Sequence, residues 1–163
     1  MPIIFEGTEA APGDAETRYI TVSEADAYVS ANILNKVSWD TADDAQKTIA
    51  LTKATKAINR LPFRGEKVDP TQENEFPRGT DTEVPQDILD ACAELAFSFI
   101  EGRDSEFEFD NLIILGRSFG SVSTTSKPDS SRAHIAAGIP SFGAWKLLLP
   151  YLRSQDEMLV QRV

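Results

Sequence analysis

The hydrophobic positions of this chain fall into three helical stretches separated by polar connections. At Thr21-Val22-Ser23-Glu24 a hydroxyl is followed three residues later by Glu, the pattern of a capping box, and Ala25, Tyr28 and Val29 offer an apolar face behind it. A short helix is predicted there. Ala45, Ile49, Ala50, Ala54, Ala57, Ile58 and Leu61 then recur at three- and four-residue steps. That spacing predicts an amphipathic helix of about five turns, opened by Thr41, with Asp43 and Asp44 complementing the dipole in its first turn. Its other face carries Lys47, Lys53, Lys56 and Arg60, and Pro62 stops it. Pro85 opens a third helix in which Ile88, Leu89, Ala91, Cys92, Leu95, Ala96, Phe99 and Ile100 give an apolar face wide enough to be central. Gly102 ends it.

The connections differ in character. Residues 62–84 form a long polar loop anchored by Phe63 and Phe76, and connections beyond about 12–15 residues usually carry function or lack order. Pro77 fixes its own φ and restricts Phe76, which places Arg78 rigidly enough to clamp a carboxylate. The partner is either within the fold, at Glu94 or Asp90, or on a neighbouring subunit. Asn111–Leu115 and Ser118–Thr125 are rich in β-branched and small hydroxyl residues around Gly116 and predict a hairpin-like arm without an internal sheet partner. Phe142, Trp145, Leu148, Leu149 and Leu152 predict a short C-terminal helix, with Pro150 in its last turn. The expected fold is mainly α: a small helical bundle with an extended β-hairpin or loop arm. Its parts are an N-terminal arm (1–18), a helical core (19–102), the arm (103–129), and a C-terminal helix with a docking tail (130–163).

Composition narrows the function. With 163 residues, 41% apolar and 26% charged, the chain suits one ordinary globular domain. Its net charge of −10 argues against a free-standing protein that grips DNA phosphates, because that affinity comes from Lys and Arg. The charge is uneven: residues 1–116 hold 10 basic and 23 acidic side chains, residues 117–163 hold 6 and 3. Complementary surfaces of that kind orient subunits or partners. A single cysteine, Cys92, excludes an intrachain disulfide and is read as a core residue. No apolar run reaches a membrane span and no basic leader begins the chain, so a soluble protein made in the cytoplasm is expected.

Candidate chemistry is sparse. Gly116-Arg117-Ser118-Phe119-Gly120 fits a nucleophile elbow, with Asp129 and His134 following in order. The elbow needs a helix directly after the serine and a parallel sheet beneath it, and the sequence supplies neither. His134 is expected at the surface or an interface. Asp43-Asp44 and the Glu106/Glu108/Asp110 alternation read as helix-dipole and solvated-strand charge rather than as a cation site. Phe107 and Phe109 lie among those acids, the wrong sign for stacking bases, since single-strand binders pair aromatics with a positive groove. No catalytic set, metal site or cofactor is expected.

The order and spacing of the core residues resemble a known family. Tyr19-Ile-Thr-Val-Ser-Glu-Ala-Asp-Ala-Tyr28, Trp39, Gln46, Ala50-Leu51, Ala54-Thr55 and Phe63-Arg-Gly65 carry the likeness, with Gln72, Glu75-Phe-Pro-Arg78, Pro85, Ile88, Ala91, Glu94-Leu-Ala96 and, distantly, Pro150-Tyr-Leu152. These are similar to the small head-tail connector (adaptor, or head-completion) proteins of tailed bacteriophages, a group overlapping DnaT-like single-stranded-DNA-binding proteins. Many relatives carry Trp where Phe76 stands. The resemblance implies a virion structural protein in the capsid-tail neck, not an enzyme. It would form a ring with itself, commonly of twelve copies, below the portal protein. The ring would carry a downstream neck, stopper or tail protein and pass double-stranded DNA without binding it specifically. Candidate subunit or portal contacts are Phe76, Arg78, Phe107, Phe109 and Arg117, with Phe119, Trp145, Tyr151, Arg153 and Arg162. A negative lumen suits sliding DNA, which favours the connector over its alternatives. Those are a single-stranded-DNA-binding accessory protein, which requires a concentrated basic and aromatic groove, and a small serine hydrolase.

Overall fold

A computed structural model describes residues 18–108 and 133–153. Six α-helices are named here in chain order: α1 (Val22–Asn32), α2 (Val37–Thr41), α3 (Asp44–Asn59), α4 (Gln86–Ile100), α5 (Ala133–Ala136) and α6 (Phe142–Leu148). A 3-10 turn, Leu149–Tyr151, continues from α6. Among the described residues there is no strand, only two isolated antiparallel bridges, Phe63 to Leu152 and Lys67 to Arg78. The fold is therefore a small, mainly helical bundle.

Capping decides where the first helices begin. Thr21 accepts from the Glu24 amide while the Glu24 carboxylate accepts from the Thr21 amide, the capping box expected for α1. Asp43 and Gln46 form a second box that opens α3. Thr41 therefore does not open that helix: it closes α2, a single turn whose five residues are too few to show a period in sequence. Pro85 precedes α4 as its N-cap, and Gly102 follows at φ 81°, in the left-handed region that ends helices at little cost for glycine.

α4 is the axis of the bundle. Ile88, Ala91, Cys92, Ala93, Leu95, Ala96, Phe97 and Ser98 are all buried, so the helix is covered on nearly every side. α3 and α6 pack along it, with α1 and α2 closing the remaining flank. Burial pushes the Cys92 thiol up to about 12, which keeps it an unreactive core residue. Three α3 positions depart from the sequence reading. Ala45 and Ile49, expected in the core, are exposed, and Lys47, expected at the surface, is only 8% exposed. Lys47 Nζ donates to Asp26 Oδ1 at 2.8 Å, and the same oxygen accepts from Trp39 Nε1 at 2.7 Å. The ammonium lies 5.3 Å from the Trp39 ring centroid. Desolvation raises the Asp26 pKa, but the bonds from Lys47 and Trp39 outweigh it and hold the carboxyl below its usual range.

The 62–84 loop folds over the same core. Phe76 packs edge-on to Phe63 with ring centroids 4.7 Å apart, and on its other sides meets Tyr151 at 5.7 Å and Tyr19 at 6.4 Å. The Phe76–Pro77 peptide is cis. Arg78 is satisfied inside the loop: Nε donates to the Arg64 carbonyl at 2.9 Å, Nη2 to the Gly65 carbonyl, and Nη1 to the Glu75 carboxylate. The carboxylate is thus Glu75 rather than Glu94 or Asp90, because the bridge from Lys67 to Arg78 turns the guanidinium back toward residues 64–65. Residues 151–153 are laced to the loop by Arg64 N to Tyr151 O and Arg153 N to Pro62 O, both 2.9 Å. The extended arm expected over 103–129 lies mostly outside the described residues, as do residues 1–17. Its described start is helical over 105–108, not extended, with Asp104 Oδ1 accepting from the Glu106 amide as a cap. An acidic cap before helix-compatible residues outweighs the alternation that suggested a strand.

Two outcomes follow for stability. Arg78→Lys keeps the charge but loses the fork, and we expect a loss of about 1–3 kcal/mol by urea unfolding, with faster proteolysis within 62–84. Asp26→Ala leaves Lys47 without its partner and is expected to cost about 1–2 kcal/mol at neutral pH, moderated because water reaches the carboxylate. The folded Asp26 pKa is depressed, so its contribution is complete above the unfolded value and fades as pH falls below about 4. The stability gap between wild type and Asp26→Asn should accordingly close in acid.

Candidate nucleic-acid interface

The face of α3 turned away from α4's core side carries three exposed cations. Lys53, Lys56 and Arg60 stand at i, i+3 and i+7, which places them within one sector of the helix. All three are exposed, and none forms an ion pair among the described residues. Their shared position follows from the same periodicity that buries Ala50, Leu51, Ala54 and Ile58 on the other side.

They open onto a trough of about 780 Å³. α3 forms one wall, with Thr48 and Thr52 lining it ahead of the cations. Asp104, Ser105 and Glu106, just past the end of α4, and the turn after α5 complete the lining. Phe99 of α4 contributes the aromatic surface, half-buried, with Lys53 Nζ 4.4 Å from its ring centroid. A second hollow of about 560 Å³ adjoins the first and shares Ile49, Lys53 and Phe99, extending the surface toward Ser38 and Thr41. The trough therefore combines a file of cations and an aromatic face, the elements from which single-strand sites are built. Sequence reading placed the three cations on one helix face and Phe99 on another helix, and named none of them as a site residue; Phe99 stands some forty residues away and joins them only through the packing of α3 on α4.

The other candidate residues disperse. Phe76 and Trp145 are buried in the core. Arg78 is consumed by its loop. Tyr151 donates to Asp87 Oδ2 at 3.1 Å, and Arg153 Nε donates to the Phe63 carbonyl at 2.8 Å. Of the described members, Phe107 alone is exposed, next to the trough's acidic edge. Phe109, Arg117, Phe119 and Arg162 lie outside the described residues, as do Ser118 and Asp129. His134 is buried rather than at the surface; its Nδ1 bonds the Ile139 carbonyl at 2.8 Å and its ring stacks beside Phe142. Among the described residues no group of three or more His, Cys, Asp or Glu side chains is placed to hold a metal ion, and no helix is long and apolar enough to cross a membrane.

No curated protein and no solved structure matches the chain. One family model, described as "Putative DnaT-like ssDNA binding protein", matches residues 1–160. Covering all but the last three residues, that match shows that the chain belongs to the DnaT-like ssDNA-binding protein family.

Proposed function

We propose that the protein binds single-stranded DNA in the trough on α3. The observation that carries this reading is the convergence of Lys53, Lys56 and Arg60 with Phe99 on one open surface. A phosphate backbone running along α3 would meet the three cations, while a base laid on Phe99 takes the place over the ring that Lys53 occupies. Displaced from the ring, the Lys53 ammonium is free to pair with a phosphate. The net charge of −10 does not oppose this arrangement. Net charge governs long-range approach, whereas the local cations govern contact. The acidic remainder makes binding weak and salt-sensitive, suited to a strand that must be released.

A second reading has its own support. Likeness to head-tail connectors over residues 19–102, and the opposed charges of residues 1–116 and 117–163, favour a ring-forming adaptor that contacts a portal. In such a ring the described trough would face either the conduit or the adjoining subunit.

Fluorescence anisotropy with a labelled oligo-dT separates the two readings, alongside mass photometry with a candidate portal. Binding that weakens as salt rises, and falls at least tenfold in Lys56→Gln/Arg60→Gln with unchanged thermal stability, is the expected result. Absence of oligo-dT binding combined with a stoichiometric portal complex would overturn the single-strand reading in favour of the connector.

A further inference from the structure

The second hollow, of about 560 Å³, differs in character from the trough it adjoins. It lies where the end of α2, the first half of α3 and the end of α4 meet, and Ala42, Ile49, Ala50 and Ile100 line it beside Phe99. Ile49 is 68% exposed although the apolar period of α3 runs through it. Val37, 67% exposed, stands one helical turn before Thr41 on α2 and continues the apolar rim. Apolar side chains grouped in water around a hollow mark a surface that meets a ligand. Resting on the single-strand reading, we propose that this hollow is a base subsite. It takes a nucleobase of the strand whose phosphates lie along the α3 cations, and Gln46 donates a hydrogen bond to the base edge.

Continuity and charge select that occupant. Ile49, Lys53 and Phe99 border both cavities, so a strand on the trough reaches the hollow without leaving the protein surface. Lys53 is the sole cation in the lining of the hollow, and exposed Asp43 and Asp44 stand just before Gln46 at the start of α3. Carboxylates there repel a phosphate, whereas a base is neutral. Gln46 supplies direction. Its Oε1 accepts from the Asp43 amide at 3.1 Å, while its own backbone amide donates to Asp43 Oδ1 at 2.7 Å. A backbone N–H facing Oε1 settles which end of the side chain is oxygen. Nε2 is left with two donor hydrogens and no partner among the described residues. The carbonyl oxygens and ring nitrogens of a base edge accept such a bond. Thr41 Oγ1 donates to the Val37 carbonyl at 2.9 Å, so its lone pairs can accept from a base N–H. From Gln46 to Arg60 the helix runs roughly 21 Å at about 1.5 Å per residue. Its first turns thus offer a base site and its last turns a file of cations for the backbone.

The test compares oligo-dT with an abasic oligomer of the same length, which keeps the phosphates and sugars, by fluorescence anisotropy on the full chain. The variants are Ile49→Ser and Gln46→Glu. Ile49 is exposed, and Glu keeps the acceptor of the capping box, so both variants fold, as thermal melting will show. Ile49→Ser should weaken oligo-dT by roughly fivefold, the share expected for an aliphatic side chain partly covered by a base, and leave the abasic probe unchanged. Gln46→Glu should cost oligo-dT about threefold more than it costs the abasic probe, whose loss reports the added charge alone. Oligo-dT binding that depends on Lys56 and Arg60 but is unchanged in Ile49→Ser would overturn the subsite and leave the trough standing. Equal weakening of both probes by Ile49→Ser would overturn the base as its occupant. Equal losses of the two probes in Gln46→Glu would overturn the role of Gln46. No wild-type binding to either probe would overturn the single-strand reading itself.

Discussion

Everything in this fold depends on covering α4. A helix with Ile88, Ala91, Cys92, Ala93, Leu95, Ala96, Phe97 and Ser98 all buried has almost no face to give to water, so its neighbours must enclose it. α3 supplies the longest cover and α6 the second, and Trp39 of the short α2 closes against Phe97 with ring centroids 6.5 Å apart. The enclosure also determines what α3 can do. With Ala50, Leu51, Ala54 and Ile58 committed inward, the three cations fall on the other side of the helix and face out. The end of α4 brings Phe99 to their edge. Core packing and candidate site are thus two sides of one helix pair.

Much of this was legible in the residues because the signals are local. A capping box occupies four consecutive positions, and an apolar period declares itself within three turns, so α1, α3 and α4 were readable with their core faces. α2 was not, since five residues cannot show a period, and Thr41 was assigned to the wrong helix for that reason. Lys47 shows a different limit. Its burial depends on Asp26 and Trp39 arriving from two other helices, and no spacing along α3 records that meeting. Arg78 was rightly read as held by a carboxylate, but the bond goes to Glu75, three residues back, through a loop turn that sequence spacing does not describe.

The same distinction separates net charge from local charge. A chain of −10 argues against phosphate affinity when its residues are averaged, but the average does not describe each surface. Pairing removes Lys36, Lys47, Lys67, Arg78 and Arg103 from the available cations, because each has a carboxylate partner. The three on the outer face of α3 form no ion pair among the described residues. Membership of the DnaT-like family gives that local arrangement a context, and under the proposed reading the acidic surroundings would limit how strongly it holds a strand. The connector resemblance draws on the surrounding charge instead, and the two readings assign the trough different occupants.

The most direct test of the trough is a titration of ¹⁵N-labelled protein with oligo-dT, followed by amide chemical shifts. The account predicts fast-exchange shifts concentrated on Thr48 to Arg60, on Phe99, and on the 104–106 turn, all suppressed by added salt. Shifts that gather elsewhere on the bundle, such as the 62–84 loop or α6, would contradict it, as would an unperturbed spectrum at millimolar strand.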